Sequence, residues 1–222
     1  MHGRSGSVAP CHEASGVPEA RGRQPIADVR YVGLDLQAVR VAAIHEADAL
    51  PMTMTVRPED PADRDASLEV ERAAFGKTEE SDIVVAVRDE AGSFAFIAEE
   101  DSRVVGHLQM SKAWIGDQEV LALGPIAVTP TRQGLGYGMA LVATALEEAA
   151  ARNIAAVILL GSPRYYGRRG FEPAGRYGLR NPFMGTTAGG FEIAEEDFQI
   201  AVLDAARVRS MNGPVRWHPA FG

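Results

Sequence analysis

Two groups of residues in this chain have the types and spacing to do chemistry. The first is Arg132-Gln133-Gly134-Leu135-Gly136-Tyr137-Gly138. The apolar run Val120 to Val128 leads into it through Thr129-Pro130-Thr131, and a helical pattern from Met139 to Ala151 follows. The spacing predicts a glycine-rich turn joining a strand to a helix N-terminus. Such a turn leaves backbone N–H groups unpaired at the positive end of a helix dipole, which makes an anion site. Its glycines let the backbone come close to a bound group and take positive φ where the turn needs it. The expected ligand is a phosphate or pyrophosphate. The second group is Ser162-Pro163-Arg164-Tyr165-Tyr166-Gly167-Arg168-Arg169-Gly170-Phe171-Glu172-Pro173. Between the two lie the amphipathic helix and an apolar strand, Ile154 to Leu160.

Three kinds of phosphate loop compete for the first group. A P-loop nucleotide site ends in Gly-Lys-Ser/Thr. Here Met139 and Ala140 follow Gly138, so no lysine reaches a phosphate and no hydroxyl serves Mg²⁺. A dinucleotide fingerprint needs G-x-G-x-x-G and an acidic residue about 20 residues on. Gly134 and Gly136 fit, but position 139 is Met, and Ile154 to Gly161 holds no Asp or Glu. The third pattern, Gln/Arg-x-x-Gly-x-Gly/Ala, is matched by Gln133-x-x-Gly136-x-Gly138.

That last spacing resembles the acetyl-CoA pyrophosphate loop of the GNAT superfamily of N-acetyltransferases. The second group resembles a later part of the same fold, where a short helix carrying Tyr precedes Gly-Phe. The ending Gly213-Pro214-Val215-Arg216-Trp217-His218-Pro219-Ala220-Phe221 resembles that of a bacterial subgroup of predicted N-acetyltransferases. The likeness runs from Thr53 to the C-terminus and is strongest from Leu121 to Pro173. A glycine-rich turn without a ligand is the alternative for the loop alone.

The resemblance implies acetyl-CoA as co-substrate, no metal, and direct attack by the acceptor amine in a ternary complex. It assigns pyrophosphate binding to the amides of Gln133, Gly134, Leu135, Gly136, Tyr137 and Gly138. Arg132 is either a charge-assisted phosphate contact or a solvated surface arginine. Main-chain pairing with pantetheine falls on Gly124 to Val128, with Ile126, Ala127 and Val128 at the matched positions. Gly124-Pro125 supports a bulge or break there, because proline cannot donate to a central ladder. A backbone N–H near Leu123 is the candidate oxyanion donor.

Tyr166 matches the tyrosine of Tyr-x-x-x-Gly-Phe and is the candidate general acid, with a core aromatic anchor as the alternative. A phenol with pKa ~10 stays protonated at neutral pH and can protonate a thiolate whose parent thiol has pKa ~8.5. Tyr165 is read as packing or lining the acceptor pocket. No base is assigned. The strand position that carries a carboxylate in several relatives is Ala122 here, and its neighbours Val120 and Gly124 are also non-acidic. Glu119 reads as an exposed strand-end glutamate, and His107 and His218 as packed or solvent-facing.

Length and composition bound these readings. The chain has 222 residues, 46% of them apolar and 23% charged, which suits one ordinary domain with an extension. The net charge of −8 speaks against a nucleic-acid binder, which shows a basic face. Plain solubility accounts for the acidic balance, which at most favours cationic or neutral over anionic substrates mildly. The one cysteine, Cys11, lies far from both motifs, so neither a disulfide framework nor a cysteine zinc cluster is expected. No apolar run reaches the roughly 18 residues of a membrane span, and no secretory signal is seen, so a cytoplasmic protein is expected.

Residues 1–51 read as a disordered or weakly helical extension, with a marginal helix from Leu36 to Ala49. Met52 or Met54 directly precedes the first strand, and a native start there is expected. Peptides from upstream of Met52 in mass spectrometry of the native protein would refute it. Residues 52–222 read as the acetyltransferase domain.

Along that domain, Met54 to Arg57 is a strand, and Pro61 to Phe75 a helix with its acidic residues in the first turns. Ser81 to Asp89 fits strand or helix by periodicity, and the resemblance favours helix. Phe94 to Glu99 and Arg103 to Trp114 form a hairpin, Glu119 to Val128 follows, and Phe198 to Leu203 is a late antiparallel strand. The expected fold is α/β, a central mixed and mostly antiparallel sheet with helices on both faces. The acceptor, a small-molecule or protein amine, would meet residues 61–89 and the C-terminal third, with Tyr177 to Gly190 as a mobile segment over the site. The sequence leaves open a homodimer, another acyl-CoA, an O-acceptor, and a non-catalytic acyl-CoA-binding module.

Overall fold

The computed structural model describes residues 39–42, 53–188 and 191–221. In chain order these form β1 (Val39–Ala42), β2 (Thr53–Pro58), α1 (Arg64–Phe75), α2 (Glu79–Val87), β3 (Phe94–Glu100), β4 (Arg103–Ile115), β5 (Gln118–Val128) and α3 (Tyr137–Ala151). There follow β6 (Ala156–Leu160), α4 (Pro163–Tyr166), β7 (Phe171–Pro173), β8 (Thr187–Ala188), β9 (Phe191–Glu192), β10 (Phe198–Val202), α5 (Ala205–Ser210) and β11 (Val215–Arg216).

Eight strands run in the order β1-β2-β3-β4-β5-β6-β10-β7, and β11 adds to the far end of β4. Of these contacts only β5–β6 is parallel. That is the mixed, mostly antiparallel sheet expected. The parallel contact follows from chain geometry, because a helical crossover, α3, separates β5 from β6.

Hydrophobic patterning explains which helix covers which face. Residues two apart on a strand share a face. Phe96 and Ala98 of β3, Leu108 and Met110 of β4, and Leu121 and Leu123 of β5 join Leu141, Val142 and Ala145 of α3 in one apolar cluster. On the opposite face, Ala113, Ile115, Val120 and Ala122 join Ile158, Phe198 and Ile200. There α1 lies over β4 and β5, with α2 beside it.

A single 3-10 turn, Pro61–Asp63, leads into α1 and is capped by Asp60, whose carboxylate accepts from the Ala62 N–H while Asp63 accepts from the Asp60 N–H. This capping box satisfies donors that the first turn leaves free. The segment with two readings by periodicity is the helix α2. The Trp217 ring lies 6.1, 6.0 and 5.9 Å from the rings of Phe183, Phe198 and Phe221, so the C-terminal aromatics seal the chain's own core.

Two expectations need correction. Inside the predicted helix Leu36 to Ala49, residues Val39–Ala42 form a strand, antiparallel to β2. The alternating Val39, Val41 pattern suits an edge strand on a sheet that already presents unpaired β2 groups. The rest of that expected helix, and the disorder expected over most of residues 1–51, lie outside the described residues. Second, α3 begins at Tyr137 rather than Met139. Gly136, at φ 98°, is its left-handed N-cap, so the turn is tighter than the apolar periodicity alone implied.

Candidate active site

The two motif groups meet at the start of α3. The amides of Gln133 to Gly138 donate to no backbone carbonyl outside α3 among the described residues, whereas the Gly136 carbonyl accepts from Ala140 as the helix gets under way. Unpaired amides at a helix N-terminus are the geometry that holds an anion. The Gln133 side chain ties this loop down by donating from Nε2 to the Val128 carbonyl at 3.0 Å.

Arg132 and Tyr137 do something the sequence did not indicate. Arg132 Nε donates to the Glu100 carboxylate at 2.5 Å, and the Tyr137 hydroxyl donates to its other oxygen. Glu100 thus clamps both flanks of the loop from the end of β3. Desolvation opposes its charge, but the hydrogen bonds from Tyr137 and Arg132 hold its carboxyl below the usual range. Burial, with the bond to Glu100, pushes the Tyr137 phenol up. The Tyr137 side chain is buried, so only its backbone faces the loop's ligand side. Arg132 is thus half-exposed and tied through Nε to a carboxylate, a partner that neither expectation for it included.

At β5 the register with β4 shifts between Leu108 and Met110, so that Gly124 and Pro125 face a single residue, Gln109. Leu108 pairs with Ile126 and Met110 with Leu123 on the two sides of this bulge. The bulge expected at Gly124-Pro125 is present. It disrupts the ladder beside Ile126, Ala127 and Val128.

Tyr166 packs among aromatic rings, 5.7 Å from Phe171 and 4.8 Å from Tyr165. Burial pushes its phenol up, with the neighbouring Tyr165 adding to the effect, and no hydrogen bond contributes. The phenol therefore stays protonated across the neutral range. Tyr165 reaches across to α3: a Cβ added at Gly138 would collide with the Tyr165 hydroxyl. The Tyr-bearing helix thus touches the phosphate-type loop directly, and Gly138 is the residue that admits the contact.

The structure also assembles a group that sequence reasoning missed. His107 is fully buried, and its Nδ1 lies 2.6 Å from Oε1 of the equally buried Glu71 of α1. Its Nε2 lies 3.7 Å from Glu59, which in turn sits 3.5 Å from Arg88. Desolvation pushes the Glu71 carboxyl up, offset in part by His107 and reinforced by Glu80. His107 had been expected to be packed or exposed; it is packed, and paired. The sequence does hold a signal for this: His107, Gln109 and Ser111 alternate through an otherwise apolar strand. Glu71 left no such trace in a helix rich in acidic residues. Ala122, the position without a carboxylate, pairs with Ser111 on this same face.

The other candidates fall elsewhere. Glu119 bridges Lys112 at 3.0 Å on the surface. His218 Nδ1 accepts from the Ala220 N–H within the tail. The loop after Tyr177 borders a pocket lined by Gly178, Arg180, Met184 and Glu195. Among the described residues, no group of His, Cys, Asp and Glu could hold a metal, and no helix is long and apolar enough to cross a membrane.

Comparison with known proteins agrees with this geometry. Residues 57–171 match the model of the acetyltransferase (GNAT) family. YjhQ, an uncharacterized N-acetyltransferase of Escherichia coli strain K12, is 33% identical over 132 residues, covering 56% of this chain and 73% of the relative. The crystal structure of YhbS from Escherichia coli in complex with CoA superposes with a TM-score of 0.70 at 26% identity, over 80% of this chain and 96% of that one. A GNAT family acetyltransferase from Brucella melitensis in complex with acetyl-CoA gives a TM-score of 0.59 at 30% identity, over 76% and 98%. Sheet order, loop and relatives agree: the chain belongs to the GNAT family of acetyltransferases.

Proposed function

We propose that residues 52–222 transfer an acetyl group from acetyl-CoA to an amine acceptor by direct attack in a ternary complex. The observation that carries this reading is the row of unpaired amides from Gln133 to Gly138 at the head of α3, set beside the bulge in β5. The two solved relatives that hold CoA or acetyl-CoA support it.

In this reading the loop amides take the pyrophosphate, because fixed N–H dipoles at a helix N-terminus offset its charge without reorganising. Glu100 holds Arg132 and Tyr137 so that the loop is formed before the ligand arrives. Arg132 adds a positive charge near the phosphates while sharing its Nε with Glu100. Pantetheine pairs with the main chain of Ile126, Ala127 and Val128, where the bulge has parted the ladder. The Leu123 N–H, just ahead of the bulge, stabilises the oxyanion. Tyr166 protonates the departing thiolate; its burial keeps it neutral until then.

Isothermal titration tests this directly. Acetyl-CoA and CoA are expected to bind, with NAD and ATP giving no heat. An absence of CoA binding overturns the reading.

A further inference from the structure

We propose that Glu71 and His107 form the proton acceptor for a cationic amine, buried on the α1 face of the sheet beside the β5 bulge. The assignment rests on the transferase reading above.

Orientation comes first. When Glu71 is ionised its carboxylate can only accept, so the 2.6 Å contact then puts a His107 proton on Nδ1 and makes Nε2, 3.7 Å from Glu59, the nitrogen that can take another. That is the arrangement in which a carboxylate orients an imidazole to act as a base. Nε2 is fully enclosed and has no hydrogen-bond partner among the described residues.

Location comes second. Gln109 Oε1 and Ser111 Oγ are likewise buried without partners, and with His107 they form one row along β4, about 7 Å between successive residues. Gln109 stands opposite the bulge. Each buried polar atom without a partner costs about 1–3 kcal/mol. Glu59 Oε1, Glu71 Oε2, Glu80 Oε2 and the Arg88 Nε and Nη2 add five more in the same cluster. An ion pair built for stability alone would not leave so many; atoms in this state are met by water or ligand.

Charge comes third. The groups around His107 are Glu71 from α1, Glu59 after β2, Glu80 from α2, and Arg88 at the end of α2. Lys77 is drawn to Glu80 at 3.2 Å. Carboxylates outnumber cations, so the site attracts an ammonium and repels an anionic acceptor.

His107 Nε2 takes one proton from R–NH₃⁺. The free amine forms the C–N bond to the thioester carbonyl carbon, and the C–S bond breaks as the tetrahedral intermediate collapses. Tyr166 gives its proton to the thiolate and is reprotonated by the second proton leaving nitrogen. The third proton stays on the amide, and the one held by His107 passes to solvent.

The test uses the full chain and the variants H107Q and E71Q. Acetyl-CoA titration and thermal unfolding check binding and fold; thiol release from acetyl-CoA reads transfer. Acceptors are spermidine, tyramine and glucosamine, with taurine as an amine that also carries a sulfonate and hydroxylamine as an acceptor already neutral at pH 7. The wild type is expected to acetylate at least one of the first three and not taurine. Both variants are expected to bind acetyl-CoA normally and to lose roughly 10²–10⁴-fold in kcat with that amine at neutral pH. The loss should shrink as pH approaches the amine's own pKa, and the hydroxylamine rate should be spared. If H107Q fails to fold, the near-isosteric E71Q carries the same comparison. Equal loss at every pH, no loss, or no transfer to any cationic amine by a chain that binds acetyl-CoA overturns the base. A chain that does not bind acetyl-CoA overturns the transferase reading instead.

Discussion

Both faces of the central sheet carry an apolar cluster, but over residues 107–111 of β4 the two faces are built on opposite principles. Toward α3 it presents Leu108 and Met110, fully buried in apolar contacts. Toward α1 it presents His107, Gln109 and Ser111, equally buried, with polar atoms lacking partners. Burying an apolar side chain contributes about 1.5–3 kcal/mol. Burying an unpaired polar atom costs a comparable amount. The α3 side of this stretch therefore adds to the core beneath the loop. In the reading proposed above, the polar stretch of the α1 face gives up stability to keep groups that serve the reaction.

The comparison can be broken in several ways. The largest effect is expected from Tyr166→Phe, which should lower turnover by roughly 10²–10⁴-fold with acetyl-CoA affinity unchanged. An unaltered rate in a transfer assay would remove Tyr166 as the acid and leave it a core aromatic. Leu141→Ala, on the α3 face, should cost about 2–5 kcal/mol, read as a lower midpoint in urea or heat. The double variant Glu71→Leu/His107→Leu, on the α1 face, should behave oppositely. It should hold its stability or gain about 1–4 kcal/mol while losing transfer, since apolar replacement of a buried ionic pair is often neutral or stabilising. A large loss of stability there would show that the polar face is structural after all.

The smallest effect is a pair of opposed pH dependences. Glu100, on the α3 face, has its carboxyl held low by Tyr137 and Arg132 despite desolvation. Its stabilising contribution is therefore present above the ordinary glutamate pKa of about 4.3 and is lost as pH falls through its lower folded value. Glu71 has its carboxyl raised by desolvation. Its contribution is full below about 4.3 and is lost as pH rises through the higher folded value. Glu100→Gln should thus flatten the acid limb of a stability–pH curve, and Glu71→Gln the limb above it. The same slope change in both variants would remove the distinction between the faces.

Much of this was legible in the chain itself. The glycine pattern after Thr129-Pro130-Thr131 announced the loop, because glycine and proline act on φ and ψ locally. The Val120 to Val128 run announced the strand that leads into the loop, and Gly124-Pro125 announced its bulge, because proline lacks the N–H the ladder needs. Val39–Ala42 was misread because a short amphipathic stretch has no conformation of its own; its β2 partner decides it. The clamp on Glu100 was not legible, because its bonds reach across 32 and 37 residues to Arg132 and Tyr137.

What the sequence determined alone was therefore the anion-type loop, the tyrosine helix behind it, and the alternation that assigns each strand residue to a face. These depend on backbone preferences and on a period of two, both of which act between near neighbours. Only the tertiary structure decided that Tyr165 would sit against Gly138, that Glu100 would hold the loop, and that Glu71 would meet His107 across 36 residues of chain. Such meetings depend on how elements distant in sequence cross, as α1 crosses β4 to bring Glu71 to His107, and that crossing is set by the packing of the whole sheet rather than by any segment within it.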